Sequence, residues 1–256
     1  AIVVLSARLQ IQLQGVTFQG GTSSFGVAAV AVESGEFEMR NCTVRDVQGT
    51  RAVHVRGGDS TTRSSRFEAN LGGAIEVSSG SKLLISSSLL VGNMAANGGA
   101  LAVTGNLTEV TVVATRIERN SATLQGGGLH VTAGRVILAN HTVLKENAAP
   151  EGATMHLSGG TTVFALPAPS GRWVNTAEPM EVPSVQPGVE TLVSTLVLGS
   201  QDEDYPFACP PGVHGDDKDI ETQVSPVCVG ACPAGSICPS ATHTPKRIPA
   251  LEDRTT

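Results

Sequence analysis

Aromatic side chains are scarce in this sequence: one Trp, one Tyr and six Phe make up 3% of 256 residues. Large rings usually dominate a thick core, so this interior has to be filled by Val, Leu, Ile and Ala in thin layers. Charge is sparse as well, at 16%, and the balance is acidic, with a net charge of −6. No cluster of Lys and Arg occurs, which argues against nucleic acid as a partner. No stretch approaches the roughly 18 consecutive apolar residues of a membrane-crossing helix. No transmembrane segment and no cofactor are therefore expected. A starting Met and a charged leader are absent too, and Ala1-Ile2-Val3-Val4 is already a copy of the repeat described next. The chain therefore reads as a fragment or processed product in which a secretory signal would not be visible.

What the sequence has in excess is glycine, 29 residues, and it recurs in pairs. Gly72-Gly73-Ala74-Ile75-Glu76-Val77 returns as Gly98-Gly99-Ala100-Leu101-Ala102-Val103 and again as Gly127-Gly128-Leu129-His130-Val131. The small-apolar-x-valine pattern starts at residues 1, 29, 52, 74, 100, 128 and, loosely, 154, so the steps are 28, 23, 22, 26, 28 and 26. Repeats of this length mark solenoids. Three short strands joined by bends account for such a turn, and no segment within it has a helical spacing.

A second column runs in step with the first. Phe67, Leu90, Ile117 and Leu144 each stand three residues before an asparagine, Asn70, Asn93, Asn120 and Asn147; Phe18 and Val44 extend the apolar column upstream. Two residues before each apolar position stand Val16, Cys42, Ser65, Ser88, Thr115 and Thr142. Residues two apart in a strand share a face, so small residues underlie large ones on one inward side. The four asparagines fall at bends, where they tolerate a left-handed backbone, bond nearby backbone and stack into a ladder. The expected fold is all-β: a right-handed parallel β-helix, pectin-lyase-like, of about seven rungs over residues 1–164. Periodicity ends at Ala165. Residues 165–207, Pro-rich and holding the only Trp, are expected to wrap the last rung as an irregular cap, with Glu190–Gly199 adding one strand and Gln201–Asp204 a solvated acidic turn. Residues 208–256 form a cysteine-rich module and tail.

Cys209, Cys228, Cys232 and Cys238 lie in a Gly/Pro-rich stretch too poor in apolar residues to fold unaided. They are expected to form disulfides, in any of three pairings; the rival zinc site lacks a paired Cys-x2-Cys knuckle. Cys42, in the small inward column, is expected to be a buried free thiol. Asn41, Asn106 and Asn140 head N-glycosylation sequons. With the cysteine module they favour a secreted or cell-surface protein.

Gly-Gly-Ala-Ile at 72–75, Gly-Gly-Ala-Leu at 98–101 and Phe-Glu-Ala-Asn at 67–70 resemble the GGA[ILV] and FxxN repeats of polymorphic outer-membrane-protein-type β-helices. Such repeats occur in bacterial autotransporter adhesins and in surface proteins of algae and other protists. Cys-Pro-Ala-Gly-Ser-Ile-Cys-Pro at 232–239 resembles ephrin-receptor-like cysteine-rich modules, and the combination is closer to the protist type. The missing asparagine in the first two turns and the lone Cys42 depart from that pattern. The resemblance implies the fold and a surface location; its matched motifs are structural.

Parallel β-helices also carry polysaccharide-acting enzymes, which need two carboxylates held in one groove. The outward acids Glu33, Glu36, Glu38, Asp46, Asp59, Glu76 and Glu109 read as scattered, with no two Asp stacked on neighbouring rungs. Glu118 and Lys145 share a column and are expected to form an exposed ion pair. The sharpest candidate is the middle position of the first column, His54, Glu76, Ala102, His130 and His156. His130 and His156 would lie about 5 Å apart as weak metal-ligand candidates on an otherwise solvated strip. No catalytic residue emerges. The sequence points to a non-catalytic structural or adhesive segment of a larger extracellular protein, with protein partners or self-assembly into a filament or sheath, and glycans as a further partner class. Its alternatives are a pectin-lyase-like polysaccharide enzyme and a glycan-binding module.

Overall fold

The computed structural model describes residues 2–22, 29–175, 180–181, 190–191, 193–196, 199–216 and 220–248, with side chains for all of these except 2–9 and 180–196. Three-residue strands are too short to persist alone; they form here because a copy lies above and below each one. Along the first wall Ile2 pairs with Val30, Val30 with Val53, and Val53 with Ile75. Ile75 then pairs with Leu101, Leu101 with Leu129 and Leu129 with Met155, all in parallel. Seven strands thus stack through six turns, in the register of the repeat. The described members of this column from Val30 onward are buried.

A second wall continues from the long strands Ile2–Gln14 and Val30–Arg40 into Asp59–Arg63, Lys82–Ser86, Glu109–Val113, Arg135–Ala139 and Thr161–Ala165. The third wall stacks Phe18, Val44, Phe67, Leu90, Ile117 and Leu144 on one another. Behind it runs a ladder of hydroxyls that the inward small column supplies. Cys42 N–H donates to Ser65 Oγ at 3.1 Å, Ser65 N–H to Ser88 Oγ at 3.1 Å, and Ser88 N–H to Thr115 Oγ1 at 3.2 Å. Small residues sit there because their hydroxyls take backbone donors that the bend leaves unpaired. Cys42 fits the same column as a buried free thiol.

The asparagines form their ladder through side chains. Asn70 Nδ2 donates to Asn93 Oδ1 at 2.8 Å, Asn93 to Asn120 at 2.9 Å and Asn120 to Asn147 at 3.1 Å. The left-handed backbone falls one residue earlier than expected. Ala69, Arg119 and Glu146 have φ of 52°, 51° and 54°, and Gly92 has 63°. Turning the chain at that residue aims the following asparagine inward, where its amide meets the next rung.

The end of the solenoid is sealed by reversing strand direction. Val193–Leu196 pairs antiparallel with Thr161–Ala165, and Gly199–Gln201 with Met155–Leu157. Tyr205 bridges Leu144 from the third wall and packs edge-on against Phe164. The cap is therefore partly regular, because antiparallel partners satisfy the open edge of the last rung on every wall. Residues 176–179 and 182–189 of the expected cap lie outside the described residues. The acidic turn at Gln201–Asp204 is no idle solvated loop: Asp202 Oδ1 accepts the Ala153 N–H at 2.8 Å and Asp204 Oδ1 the Glu146 N–H at 2.7 Å.

The chain divides into two compact units, Ala1–Leu166 with Thr176–Tyr205, and Pro167–Asn175 with Pro206–Thr256. Trp173 thus belongs to the second unit and not to the cap: Arg172–Trp173 pairs with Phe207–Ala208, and the two rings lie 5.0 Å apart. Gln223, fully buried, replaces a missing apolar core by clamping Ala168 through both its amide atoms, at 3.0 and 2.7 Å. Disulfides Cys209–Cys228 and Cys232–Cys238 close the unit.

Candidate functional site

The middle position of the first wall faces away from the solenoid interior, yet its histidines are buried. His54, His130 and His156 are only 6%, 7% and 6% exposed. Glycine turns pack beside His130 and His156. Gly98 and Gly126 lie against the Cβ of His130, and Gly152 against that of His156, so close that a methyl group at any of them would collide. The glycines of the motif thus let backbone approach where a side chain would collide, beside the Cβ atoms of two of these histidines.

His130 and His156 stack face to face, centroids 5.5 Å apart and planes 14° from parallel. Two imidazoles sharing one metal need their nitrogens within about 4.2 Å, twice the ~2.1 Å bond. Parallel rings at this spacing point their lone pairs side by side instead. Among the described residues no group of three or more His, Cys, Asp and Glu is placed to hold a metal ion. His156 Nδ1 lies 3.0 Å from Ser200 Oγ, whereas His130 Nε2 has no hydrogen-bond partner among the described residues. Burial pushes the His130 imidazole below its ordinary pKa, and His156 and Arg51 push it the same way.

Upstream the strip becomes a charged groove. A cavity of about 350 Å³ is lined by Thr50, Arg51, His54, Glu76 and Asn97, with small residues between them. Arg51 is 8% exposed and reaches across a rung to donate to the backbone carbonyls of Asn97 and Gly98. Its path crosses Gly73, where a Cβ would occupy the guanidinium's place. That is a reason for glycine in the repeat which periodicity alone does not reveal. Burial brings the Arg51 pKa down to about 10, with Glu76 opposing, so it stays cationic. Arg56 Nη2 lies 3.1 Å from His54 Nδ1 and, as a donor only, requires a lone pair there. His54 is therefore neutral with its proton on Nε2, which is 3.2 Å from Thr50 Oγ1. Burial lowers its pKa, and Glu76 opposes this in part.

A second groove, of about 530 Å³, lies on the outer face of the second wall and collects Glu36, Glu38 and Asp59 with Gln10 and Gln12. Glu36 and Asp59 are direct neighbours across the ladder. The acids that read as scattered are thus partly gathered. The register of the long strand Val30–Arg40, which carries two walls at once, was not legible from the first-wall pattern. Gln12 Nε2 donates to Glu38 at 3.0 Å, and Arg40 and Arg63 approach Glu38 at 2.6 and 3.6 Å. Glu118 is a further correction: it is 4% exposed and takes a two-pronged bond from Arg116 at 2.7 and 2.9 Å. Lys145 turns to Glu146 at 2.8 Å. The guanidinium two residues along the same face fits a carboxylate better than an ammonium on the next rung.

Of the sequon asparagines, Asn41 and Asn106 are exposed and Asn140 is half-buried. Residues 1–164 match the family described as right handed beta helix region. No curated protein and no solved structure matches the chain.

Proposed function

The chain belongs to the right-handed β-helix family, and from that premise we propose that it serves as a non-catalytic structural and adhesive segment of a larger extracellular surface protein. One observation carries the reading: the residues that recur along the chain are spent on rung-to-rung bonding. Asparagine, hydroxyl and glycine columns all bond or pack against their own copies. What selection repeated here is a scaffold. Two disulfides and three sequons support an oxidising, secretory compartment. The GGA[ILV] and FxxN repeats, with the cysteine-rich tail, support the protist surface-protein type. The partner in this reading is protein, including further copies of the chain in a filament or sheath. Sedimentation of the full chain over a concentration series tests it, alongside clumping of beads coated with the chain. Concentration-dependent assembly or clumping is expected; a chain that stays monomeric and leaves beads dispersed contradicts it.

A second reading, a polysaccharide-acting enzyme, is favoured by one feature, the groove that gathers Glu36, Glu38 and Asp59. Glycoside hydrolysis uses two carboxylates flanking the scissile bond. Against it, Arg40 and Arg63 already engage Glu38, and the Phe37 ring that lines the groove is buried, so it offers little face for a sugar to stack on.

A further inference from the structure

We propose that the uncharged outward row following the asparagine ladder is a pairing face for a second copy of this chain, laid side by side and antiparallel. This deepens the structural and adhesive reading above by naming the face and the partner, and it rests on that reading for its biological use.

The face follows from the ladder. Val47 and the ladder asparagines turn inward, so the residue after each points outward. Thr22, Gln48, Leu71, Met94, Ser121 and Ala148 therefore stack in one row, joined in parallel from rung to rung. No member of that row is charged. Leu71 and Met94, at its centre, are 44% and 41% exposed. On the next rung the strand holds one extra residue between Ala122 and Gln125, a bulge that leaves Leu124 57% exposed. The walls instead carry charge outward, as in Asp59, Lys82, Glu109 and Arg135 along the second. A chain of net charge −6 meets least repulsion from its own copy on the row that has no charge.

Charge at the border sets the orientation. Asp46, Ala69, Gly92, Arg119 and Glu146 occupy the same left-handed bend, two residues before the row. The Asp46 and Arg119 side chains are 48% and 59% exposed, and their ion pairs within the chain are loose, at 3.9 to 4.0 Å. A two-fold axis midway between Leu71 and Met94 sets Leu71 of each copy against Met94 of the other. The same axis sets Ser121 against Gln48 and Arg119 against Asp46, so the antiparallel pair matches apolar, hydrogen-bonding and charged groups. Copies running parallel, rung on rung, keep Arg119 three rungs away from Asp46. Both copies repeat at ~4.8 Å, a spacing that no globular partner shares. The row covers roughly 300 Å² per copy, taking ~4.8 Å per rung step and ~3.3 Å per residue along Met94–Asn97. Stable complexes bury ~800 Å² per partner, so this pair is weak and forms where copies are crowded, as on a shared surface.

Sedimentation velocity of the full chain, up to millimolar concentration, tests the proposal. A weak monomer–dimer equilibrium is expected, weakened at least about tenfold by Leu71→Lys and by Met94→Lys. Asp46→Arg and Arg119→Asp are each expected to weaken it, and the two together to restore it. Thermal melts confirm that the variants fold, and Leu107→Lys, at an exposed turn outside the row, is expected to leave pairing unchanged. Dimers that survive both lysine variants overturn the proposal, as does a double charge swap that fails to recover pairing. A chain that stays monomeric overturns it too, whether or not the row then takes up a vesicle or a peptide. Bead clumping separates this face from the adhesive reading: clumping that persists in Leu71→Lys and Met94→Lys keeps that reading and removes this face.

Discussion

Asn93 Nδ2 donates to Asn120 Oδ1 at 2.9 Å, and the Asn93 backbone N–H reaches the same oxygen at 3.0 Å. Asn120 returns the favour one rung on, and its Nδ2 also holds the Leu90 carbonyl at 3.0 Å. One side chain thus satisfies groups on the rung before its own and on the rung after. Asn120→Ala strands a buried backbone N–H and leaves other polar atoms short of partners. A loss of about 2–4 kcal/mol is expected by urea unfolding, since each orphaned buried group costs ~1–3 kcal/mol. Asn106→Ala, at an exposed turn, is the control and is expected to change stability by less than ~0.5 kcal/mol.

The glycines separate two causes that the sequence confounds. At Gly99 a Cβ would collide with the Ser121 and Gly127 carbonyl oxygens, backbone that has no room to move. Gly92 has φ of 63°, but nothing lies within 4 Å of its would-be Cβ. Gly92→Ala is expected to cost the ~1–2 kcal/mol of a left-handed alanine. Gly99→Ala is expected to cost more than ~3 kcal/mol. Urea unfolding of the two variants checks the order, which reverses if backbone conformation rather than rung contact governs the motif.

Acid is expected to weaken the solenoid through its buried histidines. Burial places the folded-state pKa of His54 and His130 below the ordinary 6.5. Below about pH 6.5 the unfolded chain therefore binds more protons than the folded one, and folding has to resist that uptake. Their contribution is complete above about pH 6.5 and is lost as pH falls further. Urea midpoints measured from neutral to mildly acidic pH are expected to drop, and His130→Asn is expected to flatten the drop. A midpoint equally pH-dependent in that variant contradicts the assignment.

The walls, the column partners and the asparagine stack were legible because stacking equivalent residues is what a solenoid demands of its sequence. Val53, Ile75, Leu101 and Leu129 had to match. The outward strip was misread because alternation says which side a residue faces, not what covers that side. Nothing about His130 in sequence shows that Gly98 and Gly126 pack beside its Cβ. The carboxylate groove stayed hidden for a related reason: Glu36 meets Asp59 only through the register of the second wall. Arg51 was missed altogether, because its carbonyl partners are backbone atoms 46 and 47 residues away.

The sequons are expected to differ in use. Asn41 and Asn106 are exposed, whereas Asn140 is half-buried. After expression in a eukaryotic secretory host, peptide mapping is expected to find glycans at Asn41 and Asn106 and none at Asn140. A folded product glycosylated at Asn140 runs against this accounting.

Turnover is the most direct test of the central claim that this solenoid is a scaffold and contact surface. The full chain is incubated with pectin-like and other anionic polysaccharides, with and without calcium, and new reducing ends and unsaturated uronates are followed. No product above that of a heat-denatured sample is the predicted result. Product that appears with the folded chain and disappears in Glu36→Gln or Asp59→Asn would contradict the account and install the carboxylate groove as an active site.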